Sequence, residues 1–210
     1  MKRYLLLLAV LLLNLTYSWA EPDMPGEWDS VNRSRGGIGT TFTFDKEGNV
    51  SVVNAVIVNF EYKIQKNHIQ RSIMNPASAN EKVIDDIPFE SNKNELILYP
   101  IDPNKSLILK RVSEKTPEPT SIVGKWTYIE RQVNQPATME FTRNGQGRIS
   151  IHFPGGDDGS YQLKNNLLTI VLTHGDQKKE IIAKVDWHRF TFSDDDREKI
   201  YEKFSDSSEP

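Results

Sequence analysis

The sequence of 210 residues contains no cysteine. This absence excludes disulfide bonds, thiolate metal sites, cysteine nucleophiles and lipid attachment through cysteine. The chain also has no excess of basic residues, because 26 lysines and arginines stand against 29 aspartates and glutamates, for a formal charge of -3. A chain with this balance offers little attraction to a phosphate backbone, so we expect no nucleic-acid partner.

Long apolar runs are also scarce, and the most prominent one lies near the start, at residues 5–13, behind two basic residues. The small residues Ser18 and Ala20 follow it, as is typical of a secretory signal peptide. A membrane-spanning helix needs about 20 apolar residues, and Asn14 ends this run earlier. We therefore predict a signal peptide over 1–20, a periplasmic or secreted location, and no integral membrane segment in the mature chain.

The mature chain contains one sequence pattern twice. Blocks of the first half return in the same order in the second half, at spacings of 97 to 99 positions. The matched blocks are Gly26-Glu27-Trp28 with Gly124-Lys125-Trp126, Phe44 with Phe141, Gly48 with Gly145, and Tyr62 with Tyr161. We assign the small changes in spacing to polar loops around 74–82 and 173–179. Such self-similarity indicates two copies of one structural unit.

A proline-containing segment separates the two copies. Pro117 and Pro119 favour an extended connector, so we predict a linker over 114–120. The predicted domains are residues 23–113 and 121–205, each of which we expect to fold by itself. The polar residues 206–210 are predicted to form a flexible tail.

Apolar and polar residues alternate with a period of two, which predicts strands, and no stretch of the mature chain shows a helical stripe. Each copy has about eight short strands. In the second copy we expect them near 124–131, 137–143, 147–152, 159–163, 167–172, 179–185, 188–192 and 199–204. Eight antiparallel strands leave two exposed edges unless the sheet closes. The predicted fold class is therefore all-β, with two tandem small up-and-down antiparallel barrels after the signal peptide.

These features together resemble the small lipocalin-like domains of exported proteins. They are a Gly-x-Trp first strand, a Phe-x-x-x-Gly hairpin, an Asn-rich turn before Leu-x-Leu, and a basic residue on the last strand. The resemblance implies that Trp28 and Trp126 plug one end of each barrel and that a last-strand arginine lies across the tryptophan. Arg111 takes that place in the first copy, over Trp28. The second copy has Lys203, which lacks the planar group that stacks well on a ring.

Residues for catalysis or metal binding form no recognised pattern. The four histidines, His68, His152, His174 and His188, show no short ligand spacing, although His152 and His188 could meet nearby aspartates across strands. The acidic runs 157–158 and 194–196 fail the EF-hand pattern and fit turns. No Gly-x-Ser-x-Gly sequence is present. We therefore expect no enzymatic activity, no metal and no cofactor.

Two functions from different classes follow. The resemblance implies a non-enzymatic binding protein of the cell envelope or exterior whose barrels hold a small apolar or amphipathic ligand. The alternative is a protein-interaction module, such as an inhibitor or assembly factor, that acts through loops or edges. An eight-stranded barrel has room for its own side chains or at most one small ligand, so the filling of the interior separates the two hypotheses.

Overall fold

Antiparallel β-strands make up the regular structure of the protein in the computed structural model, which describes residues 22–34, 36–74, 82–99, 106–112 and 121–204. The predicted signal peptide 1–20, linker 114–120 and tail 206–210 lie outside these residues. Within the described ranges there is no helix, and so none of a length and apolarity that would cross a membrane. The prediction of an all-β fold is confirmed.

Fifteen strands are present in these ranges. The first seven are β1 (Gly26–Ser30), β2 (Ile38–Phe44), β3 (Asn49–Gln65), β4 (His68–Met74), β5 (Lys82–Ser91), β6 (Glu95–Leu98) and β7 (Leu107–Arg111). The others are β8 (Gly124–Glu130), β9 (Gln135–Phe141), β10 (Gln146–His152), β11 (Asp157–Lys164), β12 (Leu167–His174), β13 (Gln177–Asp186), β14 (Arg189–Asp194) and β15 (Arg197–Lys203). The last eight confirm the strands expected in the second copy. In β12, for example, buried Leu168, Ile170 and Leu172 alternate with more exposed residues, as period-two patterning requires.

The strand pairings close two rings. Strands β3 to β10 pair consecutively, and β10 returns to pair with β3. We call this the contiguous ring, because its strands follow one another in the chain. The second ring runs from β3 through β11 to β15, then to β1 and β2 and back to β3. We call it the split ring, because it combines two distant segments.

Each ring combines strands from both predicted domains. The segment 23–113 supplies β1, β2 and the first half of β3 to the split ring, and its remaining strands to the contiguous ring. The segment 121–205 supplies β8, β9 and β10 to the contiguous ring and β11 to β15 to the split ring. As independently folding units the two segments stay a prediction. The pairings add that neither segment closes a ring from its own strands.

Strand β3 passes from one ring into the other. It is 17 residues long and uninterrupted, whereas β10 and β11, which pair alongside it, are separated by residues 153–156. His152 pairs with Ala55 and Asp157 pairs with Val52, so four residues of one side face two of the other. The two additional residues between β10 and β11 account for part of the change in spacing between the two copies. The assignment of that change to the loops around 74–82 and 173–179 is corrected to this extent. The break has the sequence Phe-Pro-Gly-Gly, and its first glycine adopts a φ of 86°, which favours glycine.

Positions aligned between the copies make matching contacts in the two rings. The hydroxyl of Tyr62 donates a 2.6 Å hydrogen bond to the carbonyl oxygen of Thr142, and the hydroxyl of Tyr161 donates one of the same length to Asp45. These bonds join residues 80 and 116 positions apart. Each bond joins the segment 23–113 to the segment 121–205, so an equivalent tyrosine hydrogen bond connects the two segments in each ring.

Candidate binding groove

The tryptophans singled out in the sequence lie deep inside the rings. Trp28 and Trp126 are both 0% exposed. Their indole Nε1 atoms donate 2.8 Å hydrogen bonds to the carbonyl oxygens of Met24 and Ile122. In both strand rings the indole N–H therefore has a hydrogen-bond acceptor four residues away in the chain, which allows the indole to be fully buried. The plugging of a ring end by these residues stays a prediction.

The basic residues predicted to cover the tryptophans do lie over indole rings, but with the partners exchanged. Arg111 Cζ lies 3.9 Å from the Trp126 ring centroid, and Lys203 Nζ lies 5.7 Å from that of Trp28. The pairing of Arg111 with Trp28 was wrong. Its cause is the strand order, since Arg111 pairs directly with Trp126 across β7 and β8, and Lys203 with Trp28 across β15 and β1.

Large side chains fill the interior of both rings. In the split ring, Phe42 and Phe190 are at most 2% exposed, and their centroids lie 5.4 Å apart in an edge-to-face contact. In the contiguous ring, Phe141 packs at 5.1 Å from Tyr62. Close packing of this kind is typical of a solid protein core.

The candidate catalytic and metal-binding residues are dispersed. His174 Nδ1 lies 2.7 Å from Asp157 Oδ1 at an exposed position, and His68 lies 3.3 Å from Asp86. His152 lies in the electrostatic field of Glu27 and Lys125, and burial lowers its pKa. Among the described residues no group of three potential ligands could hold a metal ion.

A buried ion network joins the two rings. The side chain of Arg148 on β10 is only 3% exposed, and its Nη1 donates to Asp29 on β1. Its Nη2 donates to Glu27 Oε2 at 2.9 Å and to Glu140 Oε2 at 3.1 Å. Lys125 on β8 donates to the other oxygen of Glu27. Strand β1 belongs to the split ring and β8 to β10 to the contiguous ring, so the network fixes their relative positions.

The carboxylates of this network respond differently to burial. Burial raises the pKa of Glu27, but the charges of Lys125 and Arg148 outweigh it, so the net shift is downward. For Glu140 burial dominates the attraction of the same two cations, and its pKa is raised. Of Glu27 and Glu140, it is Glu27 whose ionised form the network favours, because it accepts hydrogen bonds from both Lys125 and Arg148.

A groove lies between the two rings beside this network. We call it the inter-ring groove; it has a volume of about 540 Å³. Residues from both rings line it, among them Val31, Arg33, Glu61, Lys82, Lys203 and Phe204. The ring of Phe204 covers the Arg148 guanidinium, whose Cζ lies 4.6 Å from the ring centroid. The groove thus combines exposed polar groups with an apolar cover over buried charges.

Comparison with protein-family models, curated proteins and solved structures found no match. The geometry of the rings and of the groove between them therefore carries the functional interpretation.

The groove and its ion network were not predicted from the sequence. One signal was present, because the repeated Gly-x-Trp block carries Glu27 in one copy and Lys125 in the other. Opposite charges at matched positions allow the two copies to form an ion pair where these positions meet. In the structure these two side chains are hydrogen-bonded to each other.

Proposed function

We propose that this is an exported, non-enzymatic protein-interaction module built from two small lipocalin-like barrels that exchange their first three strands. The sequence features of residues 1–20 support export, and the resemblance of the Gly-x-Trp blocks supports the barrel type. The two closed rings of eight strands are consistent with such barrels. In this proposal the partner binds to the outside of the barrels.

The packed interiors of the rings favour a protein-interaction module over a protein that binds a small apolar ligand inside a barrel. Each eight-stranded ring has a core of its own large side chains. In the split ring these include Trp28, Phe42, Phe44, Phe190 and Tyr201, all at most 5% exposed. In the contiguous ring they include Phe60, Tyr62, Trp126, Met139 and Phe141, all at most 8% exposed. A ligand would have to displace these residues, at the cost of their packing.

A fluorescent fatty-acid analogue tests the proposal by titration against the purified mature protein. We expect no saturable binding by the native sequence. The variant Phe190→Ala is the positive control, because truncation of a fully buried aromatic residue opens an apolar cavity that can accept a ligand. Saturable binding to the native protein, with quenching of tryptophan fluorescence, would contradict the proposal and favour the small-ligand alternative.

A crosslinking experiment tests the partner directly. A photoreactive amino acid is placed at Val31 in the inter-ring groove or, as a control, at exposed Ile182 on the outer face of the split ring. In cells that produce the protein, we expect a defined crosslinked protein from the groove position. Equal crosslinking from both positions would indicate nonspecific contact.

A further inference from the structure

Backbone hydrogen bonds hold the side chain of Arg33 in place in the inter-ring groove. Its Nε donates a 2.8 Å hydrogen bond to the carbonyl oxygen of Ser30, and its Nη1 donates a 3.2 Å bond to that of Ile57. Gly39 makes room for this arrangement, because a Cβ atom there would collide with Ser30 Oγ and lie 3.2 Å from Arg33 Cγ. Two backbone carbonyls thus fix the guanidinium at the junction of the rings.

The other charged side chains in the groove have partners of opposite charge. Asp29 pairs with Arg148. The remaining pairs are Glu61 with Lys82 at 3.1 Å, Lys203 with Asp23 at 3.2 Å, and Glu202 with Arg189. Arg33 belongs to no ion pair formed within the described ranges. Arg33 is therefore the charged residue of the groove lining that has no ion-pair partner in contact with it.

Partial burial disfavours the charged form of Arg33. Burial lowers the pKa of Arg33, and the more distant charges of Asp29 and Glu202 only partly oppose that effect. A cation removed from water and held without a counter-ion gains from an incoming carboxylate, which can form charge-assisted hydrogen bonds with it. The planar guanidinium suits a carboxylate better than an ammonium group would.

Apolar surface lies in the same groove. Val31 is 41% exposed, although it follows directly on the buried end of β1. Phe204 also lines the groove, and its ring lies over Arg148. A ligand that reaches Arg33 can therefore also cover apolar atoms, which distinguishes this groove from a purely electrostatic surface.

We propose that the inter-ring groove binds a protein segment that carries an Asp or Glu side chain next to an apolar one. The carboxylate pairs with Arg33, and the apolar side chain packs against Val31 and Phe204. This inference rests on the proposed function, because it names the chemistry of the partner that the interaction module would bind.

The chain supplies a matched control for Arg33. Arg131 lies 98 positions later, at the aligned place in the second copy. It is exposed, and its Nη2 donates a 3.1 Å hydrogen bond to the carbonyl oxygen of Ser106. It is absent from the lining of the inter-ring groove. Replacement of Arg131 changes the net charge as replacement of Arg33 does, but leaves the groove intact.

The test uses three blocked hexapeptides that contain one phenylalanine followed by Glu, Gln or Lys and are otherwise identical. Each is titrated to millimolar concentration into the mature protein, and the Arg33 Nε–Hε signal and the dissociation constant are recorded by NMR. We expect the Glu peptide to shift that signal and to bind about tenfold more tightly than the Gln peptide, as one charge-assisted pair allows. Sodium chloride at about 0.5 M should reduce the difference.

Variants complete the test. In Arg33→Gln, the Glu and Gln peptides should bind within about twofold of each other, while Arg131→Gln should keep the native preference. Thermal unfolding of both variants checks that the fold is retained, and Arg33→Lys should keep part of the preference. A native preference retained in Arg33→Gln, or no shift at Arg33 with the Glu peptide, would overturn the inference. Failure of the barrel proposal would instead appear as fatty-acid binding inside a ring.

Discussion

In the contiguous ring, Arg71 points into the interior and donates a 2.6 Å hydrogen bond to Asp85, whereas the matching positions of the split ring hold Ile170 and Ile181. The contiguous ring is drawn from one stretch of chain, so connectivity keeps its strands near one another. The split ring joins two stretches that the whole contiguous ring separates in sequence. Packing in its interior must therefore hold together strands that lie far apart in the chain.

The aromatic content of the two cores follows the same division. In the split ring, Phe190 stacks on Tyr201 at 4.8 Å and Phe192 stacks on Tyr201 at 5.7 Å. At the matching positions the contiguous ring uses the aliphatic residues Leu96, Leu98 and Leu109. Aromatic pairs add about 0.5–1.5 kcal/mol beyond the burial of their surface. At these positions the split ring therefore has aromatic contacts that the contiguous ring lacks.

The largest expected effect comes from cutting the chain between the two copies. A protease site introduced within 114–120 and cleaved under native conditions should leave both halves in one complex, because each ring contains strands of both. Size-exclusion chromatography with light scattering measures the mass. Separation of the halves without denaturant would mean that each half forms its own ring, and the observed pairing would be wrong.

Truncation of the buried tryptophans should produce the next largest effect. Trp28→Ala and Trp126→Ala should each reduce the free energy of unfolding by about 3–5 kcal/mol, the usual loss for a large buried aromatic residue. Urea denaturation followed by circular dichroism measures the loss. An unchanged midpoint for either variant would show that the residue has no role in the core.

Exchange of interior residues between the rings should change stability in opposite directions. Arg71→Ile with Asp85→Ile gives the contiguous ring the apolar pair of the split ring, and should stabilise it by up to about 1 kcal/mol, since an ion pair whose side chains are 18% and 34% exposed gains little net energy. The reverse pair, Ile170→Arg with Ile181→Asp, should destabilise the split ring by a similar amount or more.

Chemical denaturation of both double variants provides the measurement, with Arg71→Ile alone as a control that leaves Asp85 without its cation. If the apolar pair destabilises the contiguous ring, the ion pair is part of what stabilises it. Burial, together with the negative charge of Glu130, raises the pKa of nearby Tyr128 to about 12, the direction expected where burial disfavours a charged group.

The smallest effect concerns the cations over the indole rings. Arg111→Ala should cost about 1–2 kcal/mol, because Arg111 stacks at 3.9 Å and also donates to the carbonyl oxygens of Lys93, Ser121 and Val123. Lys203→Ala should cost less than about 1 kcal/mol, since its ammonium lies 5.7 Å from the ring. Double-mutant cycles with the facing tryptophan isolate each coupling energy. Equal couplings in the two rings would contradict the geometric difference.

The strands could be predicted from the sequence because their signal is local. Period-two alternation and turn residues depend only on neighbours along the chain, and so the second-copy strands were located to within a few residues. Strand exchange could not be read in this way, since a strand pairs equally well with its own copy or with the other. The sequence of the break between β10 and β11 contained one indication of the exchange. Residues 153–156 are rich in turn formers, whereas the aligned part of β3 lacks them and is two residues shorter.

The groove illustrates the limit of sequence reasoning more sharply. Arg33 and Arg148 are ordinary charged residues in a charged chain, and no motif marks either of them. Their importance arises only when β1 of one segment lies against β10 of the other. The tryptophans were predictable because burial of a large aromatic residue is the general expectation. Their cationic partners were not, since these depend on which copy completes which ring.

The order in which strands become usable during synthesis follows from the split ring. All strands of the contiguous ring have been made once residue 152 leaves the ribosome, but β1 finds its second partner only when β15 is finished at residue 203. At ~5–20 residues per second this delay lasts roughly 3–10 seconds. During it, the apolar face of β2, with Phe42 and Phe44, has no completed core to enter. The nascent chain is therefore a natural client for a chaperone that shields its earliest strands until its latest ones arrive.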